Sequence, residues 1–276
     1  MPVWCGKDRV IVAPGAAAVM GILNVTPDSF SDGGRHSEIE SAVLKGLELI
    51  LERADILDLG GESSRPGAMP VSLEEERRRV LPVLERLLMS VQAPISIDTM
   101  KPALAREAVS MGAAIVNDVG GLRDPEMIQV VAETGAAVVV MHMAGTPQTM
   151  QVNPKYGDVV REVCDALEDR IIAAERAGIG RERIAIDPGI GFGKRSAHNL
   201  ALLRNISEFQ KLGCVVMVGT SRKSFLGELT NRPIGDRLGS TLASSLAAIE
   251  GGAQVVRVHD VGPMTDAIRV WRAIRS

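Results

Sequence analysis

The feature that most constrains this chain is a series of eight short apolar runs, separated by helical patterns and each closing on polar residues. They are "AAVMGILNVT" from Ala17, "ADILDLGG" from Ala54, "APISIDT" from Ala93, "AAIVNDVGG" from Ala113, "AAVVVMHM" from Ala136, "IAIDPGIG" from Ile184, "CVVMVGTS" from Cys214 and "AQVVRVHDV" from Ala253. Most are continuously apolar rather than alternating, as strands covered on both faces should be. Eight strands alternating with helices over 276 residues predict a parallel sheet and a single domain spanning 1–276. A doubly wound open sheet also satisfies the alternation, but eight regular units fit a (β/α)8 barrel better. Residues 1–16 add a strand or hairpin before the first unit, expected to cover the N-terminal end of the barrel.

Helix signals fill the gaps. Ser37 with Glu40, and Ser72 with Glu75, have capping-box spacing. Asp124 reads as a cap, with Pro125 in the first turn and Gly135 as the stop. Helices are also expected at roughly 101–111, 158–178, 198–212, 236–250 and 263–274.

The position of the polar residues carries the functional information. Successive runs end in Asn24 with Thr26, Pro27 and Asp28; in Glu62, Ser63, Ser64 and Arg65; in Asp98 and Thr99, with Lys101 just beyond; and in Asn117 and Asp118. The later four end in His142, in Asp187, in Ser221 to Ser224, and in Arg257, His259 and Asp260. In a (β/α)8 barrel all these ends share one mouth, where active sites are built. Loop beginnings alone do not explain Arg, Lys, His, Asp and Asn standing in register inside apolar strands. Arg65, Lys223, Arg257 and His259 are donors suited to a phosphate or pyrophosphate. Asp98, Asn117 and Asp187 suit a polar heterocycle, accepting from ring N–H and amino groups. Asn24 is an oxygen ligand of the kind Mg2+ takes when water and phosphate complete its shell. Arg257 and His259 lie on one face of the last strand, and their partner is expected to be an anion absent from the chain; Asp260 points to the other face and is left out of the site.

Other readings are excluded or set aside. A net charge of −3 leaves no basic surplus for nucleic-acid binding. No apolar run approaches the ~20 residues needed to span a bilayer, and no signal peptide is suggested. Cys5, Cys164 and Cys214 lack CxxC spacing and read as small buried hydrophobes in a reducing, cytoplasmic setting. "GIGFGK" (189–194) has neither phosphate-loop nor dinucleotide-loop spacing and reads as a turn shaping a pocket. Lys194, His198 and His36 are expected at the surface, and His142 as a hydrogen-bonded core histidine.

Together, "MGILNVTPDSFSDGG" (20–34), "DLGGESSRPG" (58–67), "SIDTMKP" (96–102), "IVNDVGG" (115–121), "DPGIGFGK" (187–194), "GTSRKSFLG" (219–227) and "RVHDV" (257–261) closely resemble the dihydropteroate synthases of the pterin-binding family. The resemblance runs from about residue 18 to the end. It implies a (β/α)8 barrel, homodimeric, and a transferase that joins 6-hydroxymethyl-7,8-dihydropterin pyrophosphate to 4-aminobenzoate with Mg2+. It implies that Asp98, Asn117, Asp187 and Lys223 hold the pterin, and that Ser64, Arg65, Arg257 and His259 hold the pyrophosphate, with Mg2+ on Asn24. Pro66, Phe192, Lys223 and Ser224 would line the 4-aminobenzoate site, where sulfonamides compete. The catalytic set would be Asp98, Asp187, Lys223, Arg257 and His259. Thr26, Pro27 and Asp28 open a Gly-, Pro- and Ser-rich loop that suits a lid; an ordinary exposed loop is the alternative. Ser64 stands where the family usually has Thr, losing the β-branch that stiffens the side chain. A non-catalytic pterin-binding relative on the same fold is the main rival, and a pterin-dependent methyltransferase is disfavoured by Lys223 and Ser224.

Overall fold

The computed structural model describes residues 2–6, 9–26, 34–63 and 67–275, of which 34–37 as backbone only. The eight runs form parallel strands: β3 (Ala18–Asn24), β4 (Ile56–Gly60), β5 (Ile95–Asp98), β6 (Ile115–Asp118), β7 (Ala137–Met141), β8 (Ile184–Asp187), β9 (Val215–Val218) and β10 (Val255–Val258). They pair in chain order, and β10 returns to β3, which closes the barrel. Before them, β1 (Trp4–Gly6) and β2 (Arg9–Val12) form the expected antiparallel hairpin.

The strands look uniformly apolar because their two faces meet two different cores. Val19, Leu57, Ile97, Val138, Val216 and Val256 point outward, into one continuous cluster with the surrounding helices. Their neighbours Met20, Ile56, Ile115, Val139, Met217 and Val255 point inward, where they pack with Trp4 and Val12 of the hairpin. The hairpin therefore plugs the N-terminal end, as expected. Trp4 is fully buried there, and its indole N–H donates to the Arg183 carbonyl at 3.1 Å, so the plug leaves no unsatisfied donor on the ring.

The helices are α1 (Gly34–Leu51), α2 (Leu73–Ser90), α3 (Pro102–Met111), α4 (Pro125–Thr134) and α5 (Val159–Arg176). They continue as α6 (Ser196–Arg204), α7 (Ile206–Gln210), α8 (Ser224–Thr230), α9 (Leu238–Glu250) and α10 (Val261–Arg275). Ser72 caps α2 by accepting from the Glu75 N–H at 3.2 Å, and Asp124 caps α4 by accepting from Glu126 N–H at 2.9 Å. Ser37 lies within α1, which begins at Gly34, rather than before its first turn. The segment 198–212 is two helices rather than one, broken where Asn205 leaves helical geometry (φ −119°, ψ 32°). Helix α8 was not expected from the pattern. No described helix is long and apolar enough to cross a membrane.

Candidate functional site: the C-terminal mouth of the barrel

The inward face changes character within one step of the strand period. Two residues beyond the apolar layer, the inward positions become Asp58 after Ile56, Asn117 after Ile115, Asp187 after Ala185 and Arg257 after Val255. Strand register brings these side chains together: Asp58 lies opposite Ser96, Asp98 opposite Asn117, and Met141 opposite Asp187.

Arg257 is the centre of an ionic network. Its Nε donates to Asp58 at 2.6 Å and its Nη2 to Asp98 at 2.7 Å. The expectation that its partner lies outside the chain is therefore corrected: two carboxylates from neighbouring strands neutralise it. Asp58 was missed by the sequence reading, although a carboxylate at an inward position two residues past Ile56 is a legible signal. It is fully buried, and its Oδ2 also accepts from Asn117 Nδ2 at 3.0 Å. Fixing the amide nitrogen in this way turns Asn117 Oδ1 toward no protein donor. Asn117 Oδ1, Asp58 Oδ1 and Ser96 Oγ are all buried without a hydrogen-bond partner. Burial pushes the Asp98 carboxyl up to about 7, against the downward pull of Arg257.

Asp187 and Lys223 form the second half of the mouth. Asp187 is buried, and its Oδ1 accepts from Gly189 N–H at 2.7 Å. Burial raises its pKa, opposed by that bond and by Lys223. The Lys223 ammonium sits 3.9 Å from the centroid of the Phe192 ring, a cation–π contact. Burial, with Arg257 nearby, pushes it down to about 8. Phe192 packs against an apolar wall of Val119, Met141, Met143 and Met150. The turn between them needs glycine. Gly189 has φ +68° and a Cβ there would lie 1.9 Å from the His142 carbonyl oxygen, while Gly191 has φ +84° and faces the Lys223 stem. "GIGFGK" is thus a pocket-shaping turn, as expected.

On the rim, Ser221 Oγ lies 3.0 Å from His259 Nδ1 and accepts from the His259 backbone N–H at 3.2 Å. Asn24 is half-buried at the inward-facing end of β3, and Thr26 is half-buried just beyond. Ser224 is exposed at the start of α8. Pro27 and Asp28 of the expected lid, and Ser64, Arg65 and Pro66 of the expected anion and amine sites, lie outside the described residues.

Further expectations about surface and core residues are corrected. Lys194 is not a surface residue: it is 3% exposed. Its ammonium lies 3.0 Å from His142 Nδ1 and donates to the Phe192 carbonyl at 2.9 Å. Burial pushes it down to about 7. His142 is partnered as expected but half-buried, and burial beside Lys194 and Arg123 pushes its pKa down to about 3. His198 is half-buried against Tyr156, with ring centroids 5.0 Å apart. Of the cysteines only Cys214 is fully buried. The side chain of His36 lies outside the described residues.

Comparison with known proteins agrees with this geometry. A family model described as "Pterin binding enzyme" matches residues 20–259. Dihydropteroate synthase of Escherichia coli is 47% identical over 258 residues, covering 94% of this chain and 92% of that one. The solved structure of Xanthomonas albilineans dihydropteroate synthase in complex with 7,8-dihydropteroate superposes with a TM-score of 0.91 at 45% identity, covering 100% of this chain and 99% of that one. That of the Thermus thermophilus enzyme in complex with 4-aminobenzoate gives a TM-score of 0.88 at 43% identity, covering 99% and 100%. The chain belongs to the pterin-binding enzymes, and within them to the dihydropteroate synthases, transferases of folate synthesis.

Proposed function

We propose that this chain condenses 6-hydroxymethyl-7,8-dihydropterin pyrophosphate with 4-aminobenzoate, giving 7,8-dihydropteroate and pyrophosphate. The observation that carries this reading is the set of buried acceptors at the top of the barrel. Asn117 Oδ1 and Asp58 Oδ1 have no protein donor, and an unpaired buried acceptor costs about 1–3 kcal/mol. A pterin edge, with ring N–H and amino groups, supplies donors of that kind. Asp98, Asn117, Asp187 and Lys223 are assigned to the pterin, and His259, Arg257, Ser64 and Arg65 to the pyrophosphate. Because Arg257 is already paired with Asp58 and Asp98, it acts on the anion as a shared charge rather than a free one. The amine pocket is assigned to Phe192, Lys223, Ser224 and Pro66; the apolar wall behind Phe192 supports an aromatic occupant, and sulfonamides would compete there.

In the reaction the bond from the pterin methylene to the pyrophosphate oxygen breaks, and the electron pair leaves with the pyrophosphate. Positive charge develops on the methylene and spreads into the ring, where the buried carboxylates of Asp98 and Asp187 stabilise it. The amine lone pair then forms the carbon–nitrogen bond, and the nitrogen loses a proton to solvent. A neutral aromatic amine needs no strong general base. No covalent enzyme intermediate is required, and the path is SN1-like. Among the described residues no cluster of His, Cys, Asp and Glu could hold a metal alone. Asn24 offers one hard oxygen at the mouth, which fits Mg2+ completing its shell with phosphate oxygens and water. Bound there, Mg2+ would neutralise the leaving pyrophosphate. Thr26, Pro27 and Asp28 would close over the site. The same reading takes the enzyme to be a cytoplasmic homodimer; exposed Leu229, Leu238, Val270 and Ile274 on α8, α9 and α10 support a partner surface.

The test is chromatography of purified protein with Mg2+ and both substrates. Dihydropteroate and pyrophosphate should appear in equal amounts, and Lys223→Met should lower kcat/KM by about 100-fold. Tight pterin binding without product would instead make the chain a non-catalytic relative.

A further inference from the structure

The turn that carries Lys223 holds a strained residue. Arg222 has φ +59°, a left-handed conformation unusual for a side chain of its size. Strain of this kind persists only where the surroundings over-determine the backbone. Here they do. Lys223 N–H donates to the Thr220 carbonyl at 3.1 Å and closes the turn. Arg222 N–H donates to Thr241 Oγ1 at 3.2 Å. Arg237 Nη1 donates to the carbonyls of Arg222 and Lys223 at 3.1 and 3.2 Å.

The left-handed turn aims the Arg222 side chain across to the end of β10. Its Nη2 donates to Asp260 Oδ1 at 2.6 Å and its Nε to Asp260 Oδ2 at 3.2 Å, a two-pronged pair that fixes orientation as well as distance. The neighbours on both sides are site residues. Ser221, before Arg222, meets His259, and Lys223 follows it; Asp260 follows His259. The side chains are 41% and 26% exposed, and a pair this open to water adds little to folding stability.

We propose that Arg222 and Asp260 are positioning residues: a bidentate clamp that holds the strained 220–223 turn against the end of β10, setting Lys223 and His259 at the spacing the reaction needs. Neither touches substrate. The proposal rests on the function proposed above, because that reading gives Lys223 and His259 their tasks.

The test compares Arg222→Gly, Asp260→Asn and the double variant with wild type. Arg222→Gly relieves the left-handed strain and deletes the clamp, whereas Asp260→Asn weakens the clamp and leaves the strain, so the two together separate the effects. Each single variant should lower kcat/KM by about tenfold, and the double variant by no more than the larger single loss, because both remove one interaction. Affinity for 6-hydroxymethylpterin, read through Lys223, should fall in the same variants. The thermal midpoint of Asp260→Asn should stay at the wild-type value and that of Arg222→Gly should be no lower, and Asp260→Glu should recover part of the activity. Wild-type kcat/KM in either single variant, losses that multiply in the double variant, or losses that track the thermal midpoint would overturn the clamp. A wild-type protein without turnover defeats the functional reading instead; the clamp is then decided by pterin affinity alone.

Discussion

The two ends of one barrel are made from the same eight strands and have opposite physics. At the N-terminal end the inward residues Met20, Ile56, Ile115, Val139, Met217 and Val255 pack against Trp4 and Val12 without an ionisable group among them. One strand period further on, the inward positions hold Asp58, Asp98, Asp187 and Arg257, three carboxylates beside one guanidinium, with Lys223 at the edge. The lower layer gains free energy by excluding water. The upper layer loses free energy by burying charge, and recovers it only in part by pairing. A barrel with two apolar ends would be more stable and would bind nothing polar. The plug stabilises the fold so that the mouth can hold unsatisfied groups.

The sharpest way to break this contrast is to damage each end by one side chain. Arg257→Ala leaves Asp58 fully buried without its counter-ion, which should cost about 3–5 kcal/mol of stability and on the order of 10³-fold in kcat/KM. Ile115→Ala, two residues below Asn117 on the same strand, should cost about 2–5 kcal/mol through the cavity it opens. Its kcat/KM at 25 °C should be unchanged. Denaturant unfolding and steady-state kinetics on both variants decide the matter. Equal kinetic damage from the two would mean that the layers are not separable.

The smallest effect concerns Lys194, which burial pushes down to about 7 from the ordinary 10.5. Between those values the unfolded chain keeps the proton and the folded chain does not. Stability therefore rises with pH across that window, and below about 7 the folded state bears the cost of charging a buried amine. Lys194→Met should remove this part of the pH dependence. At pH 6.5 it should be more stable than wild type, and the gap should shrink as pH rises above about 7 and level off only near 10.5. A gap that stays constant with pH would show that Lys194 is charged throughout.

Much of this was legible in the sequence. Eight apolar runs ending in polar residues implied the barrel and its mouth, because strand alternation and common direction leave little freedom. Asp98, Asn117, Asp187, Lys223, Arg257 and His259 do gather at one end. The pairing inside the mouth was not legible. That Arg257 meets Asp58 and Asp98 depends on the relative register of strands from opposite ends of the chain, separated from Arg257 by 199 and 159 residues. Lys194 was expected at the surface, as lysines usually are. Its burial comes from the glycine-rich turn folding against the end of β7, a contact across 52 residues. Asp260 was set aside on alternation alone. It does point away from the inward face, and there it meets Arg222.

If the polar upper layer of the barrel holds the pterin ring, titration calorimetry with 6-hydroxymethylpterin on wild type and on Asp187→Asn should show it. One site per chain is expected, with an affinity about 10–100-fold weaker in Asp187→Asn and a thermal midpoint no lower than that of wild type. Wild-type affinity in that variant would mean that the ring is held elsewhere.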